Sequence, residues 1–564
     1  MVRIGARFAM VTHGNPGRGS ADPSRSFFSR QLFTTDHKAV GLQYLFLALF
    51  SVFLGMGLSL LMRVFISPGP GHIGFFSAPG NASERYAALM LLHGSLMVFF
   101  VLTAAPQFGF GYFFLPLQIG AREMAFPSLS ALSVWLTFAS LLGISTSFFL
   151  KTGPGMSLWA CSATCFCVAD LISALNFCVT CIDLRTQGMT LPRLPMTVWS
   201  WLITAVLSLL IFSILLAACV LLLSDRFIGT HFFAVPFAAS SALPLLWQRW
   251  FWFFAQAEVY VAVLPCFGIV SHLLSVFSRK PIWAERWSVL SLCAVGLSGF
   301  CIWGFHMFSS GLNPYAPFDF SMLASSLGIP AAFLIASWIG TLWNAKPQLT
   351  TAMLFSLGFL SFFLSGAVTG LFLSWRGAAP SAITDELVTG HFHLVLGIAA
   401  TFAILGGLFF WFPKMFGRKL NETLGKIHFW LTFVGAYCIF IPMHWVGLLE
   451  SSGVPSFAGS ATIPRLGQNL HSFIAFAAAA TVAAQLIFLA NFFWSLFHGE
   501  KLATKNPWRA TTLEWFVASP PPKGNFSVVE PVVYRGAYFF GVPFAGADFL
   551  PQLLAPETIV RRSS

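Results

Sequence analysis

Apolar residues in this chain do not alternate with the two-residue period of a half-buried strand. They come in long unbroken runs, separated by short segments rich in Gly, Pro and Arg such as Ser67-Pro68-Gly69-Pro70-Gly71 and Lys414–Lys419. About 20 apolar residues in helical form cross the hydrocarbon core of a bilayer. Twelve such runs occur, at 42–66, 85–115, 128–150, 160–182, 196–224, 247–277, 288–310, 323–344, 350–375, 388–413, 425–449 and 470–497. No segment has the alternating pattern of a barrel strand, so helices that satisfy their own backbone in lipid are the predicted elements. The predicted fold class is an all-α integral membrane protein, a twelve-transmembrane-helix bundle over 42–497, with an N-terminal tail (1–41) and a C-terminal tail (498–564).

Composition agrees with this reading. Of 564 residues 57% are hydrophobic and only 9% charged, against about 25% charged in soluble domains; a set of separate soluble domains is excluded. A net charge of +12 first suggests an acidic partner, but the basic residues sit at the ends and between the apolar runs. Twelve spans put both termini on one side. With that side cytoplasmic, the tails hold 13 Lys and Arg, the cytoplasmic loops 11 (among them Arg279, Lys280, Arg286, Lys414, Arg418, Lys419 and Lys426) and the outer loops seven. That is the positive-inside pattern, so the charge reports orientation and no nucleic-acid partner is expected. The segment before Phe46 lacks the apolar core and cleavage site of a signal peptide and reads as a cytoplasmic tail. The ten Cys residues are scattered mainly through apolar stretches and read as packing residues.

Ionisable residues inside spans are costly and are functional candidates by default. Most here are histidines: His93, His272, His306, His391, His393, His428, His444 and His471. A lone buried His is more often a hydrogen-bonded packing residue than a ligand, but a cluster is different. His391 and His393 are two residues apart, a rotation of about 200° on a helix, so they face opposite ways. They cannot share one metal, but each can hold a separate centre, and His93 on another span can complete one of them. Neutral imidazole is a common haem ligand, and a Phe- and Trp-rich interior suits a porphyrin.

These residues lie among motifs that resemble a known family, the catalytic subunit I of the haem-copper oxidases, of the cytochrome c oxidase type. Thr34-Thr35-Asp36-His37-Lys38 resembles the family's opening. His93-Gly94, Phe108-Gly109-Phe110-Gly111 and Pro116–Ala121 resemble its second span and following loop. Phe251–Phe254, Glu258-Val259-Tyr260 and Ile269–His272 resemble its sixth. Gly390-His391-Phe392-His393 is similar to its haem-ligand helix, and Asn506-Pro507-Trp508, Thr511–Trp515 and Ser519–Pro522 to its C-terminal tail. The resemblance runs from about Thr34 to Tyr534. It implies two haems, with His93 and His393 as axial ligands of a low-spin haem iron, His391 as the proximal ligand of a high-spin haem iron, and Arg63 at the haem periphery. It also implies a bacterial plasma-membrane protein of a respiratory electron-transfer chain, with oxidase subunits II and III and a cytochrome c-type donor as partners.

The sequence departs from the family at the copper site. The expected His-Pro-Glu-Val-Tyr reads Gln256-Ala257-Glu258-Val259-Tyr260, and the expected pair of His in span seven reads Phe305-His306, so His306 is the one copper-site His retained. One His with an amide and a phenyl ring is a poor donor set for a buried copper. The lysine of the family's proton path in span eight falls at Leu334 and its neighbouring threonine at Ala331. At the second path the mouth carboxylate is Glu123 and the asparagine is replaced by Ser130. The propionate-shell positions read Ile383-Thr384 and Gly453-Val454. Glu258 and Tyr260 remain as candidate catalytic residues. Glu258 reads either as a proton carrier or as a protonated carboxyl bonded within the bundle.

The expectation is therefore a haem-binding, cytochrome c oxidase subunit I-like membrane protein with its copper site and lysine path degenerate. The alternatives are a working terminal oxidase reducing oxygen, and a gas-sensing, regulatory or assembly paralogue. Nitric oxide reduction, which in related enzymes uses iron in place of copper, is weakened by the same missing histidines.

Overall fold

The computed structural model describes residues 32–66, 82–233, 245–304, 322–376, 385–451, 462–526, 530–541 and 548–555. Among these residues the protein is helical, with no extended sheet. Twelve helices follow one another: α1 (His37–Ile66), α2 (Ala82–Ser95, continuing through Leu96–Gly109 and Phe110–Ile119), α3 (Pro127–Ser147), α4 (Thr152–Asp183), α5 (Met196–Phe227), α6 (Leu245–Ser278), α7 (Glu285–Cys301), α8 (Gly328–Leu342), α9 (Thr351–Arg376), α10 (Asp385–Phe392, continuing through His393–Ile398 and Ala399–Phe416), α11 (Glu422–Ser451) and α12 (Thr462–His498). Each falls on one predicted apolar run. Eleven are long and apolar enough to cross a membrane. The other, α7, has 17 described helical residues.

Consecutive helices pack side by side, while α2 and α6 sit inside the bundle: α2 touches α1, α3, α6 and α10, and α6 touches α5 and α7 to α10. Position explains their sequences. The most apolar part of α6 is almost wholly buried, and its inward polar residues must find partners within the protein. The outer helices carry exposed Leu, Phe and Trp such as Leu210, Trp287, Leu297 and Phe476, side chains that lipid accepts without cost. Small residues set the close crossings, as in other membrane bundles. A side chain at Gly41 on α1 would meet the backbone of α2 at Gly109 and Phe113, 2.7 and 2.8 Å away.

One end of the bundle is closed by the chain's own tails. Asp36 caps α1, accepting from the Lys38 backbone N–H at 3.0 Å and pairing with the Lys38 ammonium at 3.1 Å. Lys38 also donates to Asn525 at 3.2 Å, His37 Nδ1 bonds the Tyr112 carbonyl at 2.8 Å, and Asn525 donates to the Ala121 carbonyl at 2.9 Å. The Thr34–Lys38 motif thus ties α1 to the end of α2 and to the C-terminal segment. Burial lifts the Asp36 carboxyl, but the Lys38 and His37 charges outweigh it and hold the group below its ordinary value.

The C-terminal segment is packed onto the same end rather than trailing from it. Trp508 Nε1 donates to the Phe410 carbonyl at 2.8 Å, and Lys414 Nζ donates to the Val517 carbonyl at 2.9 Å. Arg279 pairs with Asp548 at 2.8 Å and lies over the Phe540 ring. All ten cysteines are free thiols. They include Cys178 and Cys181, whose C-x-x-C spacing on α4 gives no disulfide.

Candidate functional site

The histidines of α10 stand where the helix changes its winding. Asp385–Phe392 is α-helical, His393–Ile398 is π-helical and the α form resumes at Ala399. A π turn widens the helix by one residue and leaves its backbone bonds less regular; such turns are frequent at functional sites. The neighbouring α2 is π-helical over Leu96–Gly109, directly after His93.

His391 and His393 face different helices, as the two-residue spacing requires. The His391 Nδ1 meets the Thr369 hydroxyl of α9 at 2.9 Å. Beside it, Gly370 leaves room for the ring, since a side chain there would meet His391 Cε1 at 3.0 Å. His393 turns toward α2 and α11. Its ring centre is 6.3 Å from that of His93, the planes differing by 23°, and 4.9 Å from the Phe440 ring. His93 Nδ1 bonds the Gly55 carbonyl at 2.9 Å and His393 Nδ1 bonds the Thr389 carbonyl at 2.8 Å. In both rings Nδ1 therefore carries the proton as donor, which leaves the Nε2 lone pair as the ligating position.

Arg63, in the last turn of α1, reaches over this pair. Its guanidinium contacts Met443 Sδ at 2.9 Å and lies 3.9 Å from the Glu386 carboxylate. Other intramembrane histidines take packing roles. His272 Nδ1 meets the Tyr538 hydroxyl at 3.1 Å, His428 Nε2 meets Gln485 at 2.8 Å, and His444 Nδ1 meets the Phe440 carbonyl at 2.6 Å.

Gln256 donates to the Tyr260 hydroxyl at 3.5 Å, one turn further along α6. Tyr260 packs its ring against α7 where Gly299 has no side chain to obstruct it. Phe305 and His306 lie outside the described residues, as do Ile383-Thr384 and Gly453-Val454. Leu334 is fully buried on α8.

A hydrogen-bonded column of hydroxyls fills the space between α1, α2, α3 and α4. Glu123 is exposed in the loop before α3. Below it Asn176 accepts from the Phe126 N–H at 3.0 Å and donates to the Ser130 hydroxyl at 2.8 Å. Ser133 bonds Tyr44 at 3.0 Å and Tyr112 at 3.3 Å, and Tyr112 donates to Ser173 at 2.9 Å. Ser130 of α3, where the resemblance implies an asparagine, is thus hydrogen-bonded by Asn176 of α4, a contact that no local reading of α3 reveals. Glu258 lies deeper, its Oε1 accepting from the Thr103 hydroxyl of π-helical α2 at 2.6 Å. Asp170 on α4 is equally buried. The cost of a charge inside a span singles out Asp170 as much as Glu258, although Asp170 lies in none of the family-like motifs.

Histidines turned to two different neighbours from a widened central helix, set in a bundle of twelve described helices, define a helical membrane protein with a candidate cofactor site. The comparisons name the family. That described as Cytochrome C and Quinol oxidase polypeptide I matches residues 39–479. Similar relatives include the Alternative cytochrome c oxidase subunit 1 of Bradyrhizobium diazoefficiens, 40% identical over 95% of this chain and 94% of that one. Cytochrome c oxidase subunit 1 of Synechocystis is 36% identical over 92% and 94%. Among solved structures, a heme-copper terminal oxidase dimer shares the fold at a TM-score of 0.65 and 14% identity, covering 83% of this chain and 85% of that one. The chain belongs to the cytochrome and quinol oxidase polypeptide I family and is a cytochrome c oxidase subunit I-like integral membrane protein.

Proposed function

We propose that this protein is a haem-bearing electron-transfer subunit with two haem sites and a degenerate copper site. His93 and His393 would hold a low-spin haem iron, His391 would hold a high-spin haem iron, and Arg63 would lie at the periphery of the first. The single observation that carries the reading is the His93–His393 pair. The two ring centres are 6.3 Å apart with planes 23° apart, a pair of imidazoles on neighbouring helices that could serve one iron. Both Nδ1 atoms are bonded to backbone carbonyls, so each ring could bind iron through Nε2 without losing that bond. The donor chemistry fits haem.

When bound, haem supplies reversible one-electron chemistry. The chain's own residues orient and enclose it. Gly55 and Thr389 fix the tautomers, Thr369 and the gap at Gly370 set the His391 ring, and Phe440 stacks on His393. Arg63 places a cation where acidic haem substituents need one. At the copper position, Gln256 and Phe305 supply no imidazole, and His306 alone is too few donors for a tightly held copper. The termini, with their 13 basic residues, lie on the cytoplasmic side of a bacterial plasma membrane. Subunits II and III and a cytochrome c-type donor are the partners this reading calls for.

A second reading, a working terminal oxidase, is favoured by one specific observation: Glu258, Tyr260 and the hydroxyl column from Asn176 to Ser173 are all in place. In it Glu258 and Tyr260 are the catalytic proton carriers. A gas-sensing, regulatory or assembly role has the same haem ligands without turnover. Metal and haem quantitation of the purified protein, with reduced-minus-oxidised spectra, separates them. Two haems and no copper per chain are expected; one copper beside two haems overturns the degenerate site, and no haem overturns the electron-transfer reading.

A further inference from the structure

Asp170 lies within a membrane span, fully buried, and neither carboxyl oxygen has a hydrogen-bond partner. On the neighbouring α5, the hydroxyls of Thr204 and Ser208 are also fully buried and unpartnered. Across on α6, Glu258 uses one oxygen on Thr103 and leaves Oε2 unpartnered. The three helices meet through Phe166 of α4, Phe212 of α5 and Phe254 of α6, whose ring centroids are 5.7 Å (Phe166–Phe212) and 5.2 Å (Phe212–Phe254) apart. Asp170, Ser208 and Glu258 each lie about one helical turn from one of these rings, in the next layer of the bundle.

So many unsatisfied polar atoms do not gather by accident in a dry interior. Each buried unpaired polar group costs about 1–3 kcal/mol, and an ionised carboxyl costs far more. Native proteins meet such needs with internal water, which binds where a site offers two to four polar partners. Asp170, Ser208 and Glu258 offer four unpartnered oxygens from three helices here. Two carboxylates in one low-dielectric region also cannot both stay ionised without a counter-ion, and no Lys or Arg is among the groups just named.

We propose that Asp170 and Glu258 line one internal water cluster between α4, α5 and α6 and share a proton through it, making Asp170 a second proton-holding carboxyl of this membrane domain. The transfer balances without oxidant or reductant: one carboxyl O–H gives its proton to water while water gives one to the other carboxylate. The neutral carboxyl becomes the charged one, and the pair's total charge is unchanged. Ser173, on the same helix as Asp170 and one turn nearer the hydroxyl column, is the terminal hydroxyl of the Asn176–Ser130–Ser133–Tyr112 series. Asp170 thus stands between that column and Glu258. This inference does not rest on the haem assignment.

Infrared spectroscopy of the resting protein in H2O and D2O tests it without turnover. Neutral-carboxyl C=O bands are expected. Asp170→Asn should remove its own contribution and shift the band of Glu258, Glu258→Gln should do the reciprocal, and both bands should shift within minutes in D2O. If the surviving band is unmoved in both variants, or the Asp170 band resists D2O, the shared cluster is refuted. If Asp170→Asn does not fold, Glu258→Gln alone decides the matter through the Asp170 band.

Discussion

Replacing Asp36 by Asn isolates one buried interaction at the closed end of the bundle. The Asp36–Lys38 pair is 3.1 Å long, with side chains only 10% and 1% exposed. At an effective dielectric of about 20 the gross attraction is about 5 kcal/mol. Much of it is cancelled by desolvation, and Lys38 keeps its bond to Asn525. Asparagine is as good a helix N-cap as aspartate, so the cap on Lys38 N–H survives. What remains is an ammonium deprived of its counter-ion, and removing one partner of a buried pair costs about 3–5 kcal/mol. With the Asn525 bond intact, about 2–3 kcal/mol is expected, read by equilibrium unfolding in mixed micelles through tryptophan fluorescence. Adding Lys38→Met should recover at least half, because it removes the stranded charge. A D36N protein within about 0.5 kcal/mol of wild type, or a double variant no more stable than D36N, would refute the reasoning. The pH dependence has a definite sign. Asp36 is held below its ordinary value of 3.8, so its contribution is fully present above that value and disappears as pH falls through the lowered one. The gap between wild type and D36N should close on acidification.

Other outcomes follow from the same geometry. His93→Ala should abolish the low-spin haem spectrum and spare the high-spin one, with His391→Ala doing the reverse; a spectrum unchanged in both would contradict the assigned ligands. Glu514, buried beneath the C-terminal segment and bonded by Gln118 at 3.0 Å, is pushed up by that burial. Its contribution is thus greatest below the ordinary carboxyl range and is lost as pH rises through the raised value. Glu514→Gln should flatten that decline in a series of thermal midpoints from about pH 4 to 7, and parallel curves would count against it. Gly299→Val should drive a side chain into the Tyr260 ring, costing about 1–3 kcal/mol, with Tyr260→Ala in the same chain recovering part of the loss.

Much of this protein is written in local pattern. Twelve apolar runs became twelve helices because a bilayer offers the backbone no other partner, and the two-residue spacing of His391 and His393 dictated that they face different helices. Motifs gave the family, and the match over residues 39–479 agrees. The sequence alone also identified Glu258 as a carboxyl out of place in lipid. Its neighbours were another matter. That His93 stops 6.3 Å from His393, that Asn176 reaches Ser130, and that Thr103 meets Glu258 depend on how α2, α3, α4, α6 and α10 cross. Those crossings are set by small residues such as Gly111 of α2, which leaves room for Phe177 of α4, and Gly407 of α10, which leaves room for Phe110 of α2, and by π turns in α2 and α10. Hydropathy decides which segments enter the membrane because transfer from water is a property of each segment alone. Which polar groups then meet is a property of packing between segments, and only the tertiary structure decides it.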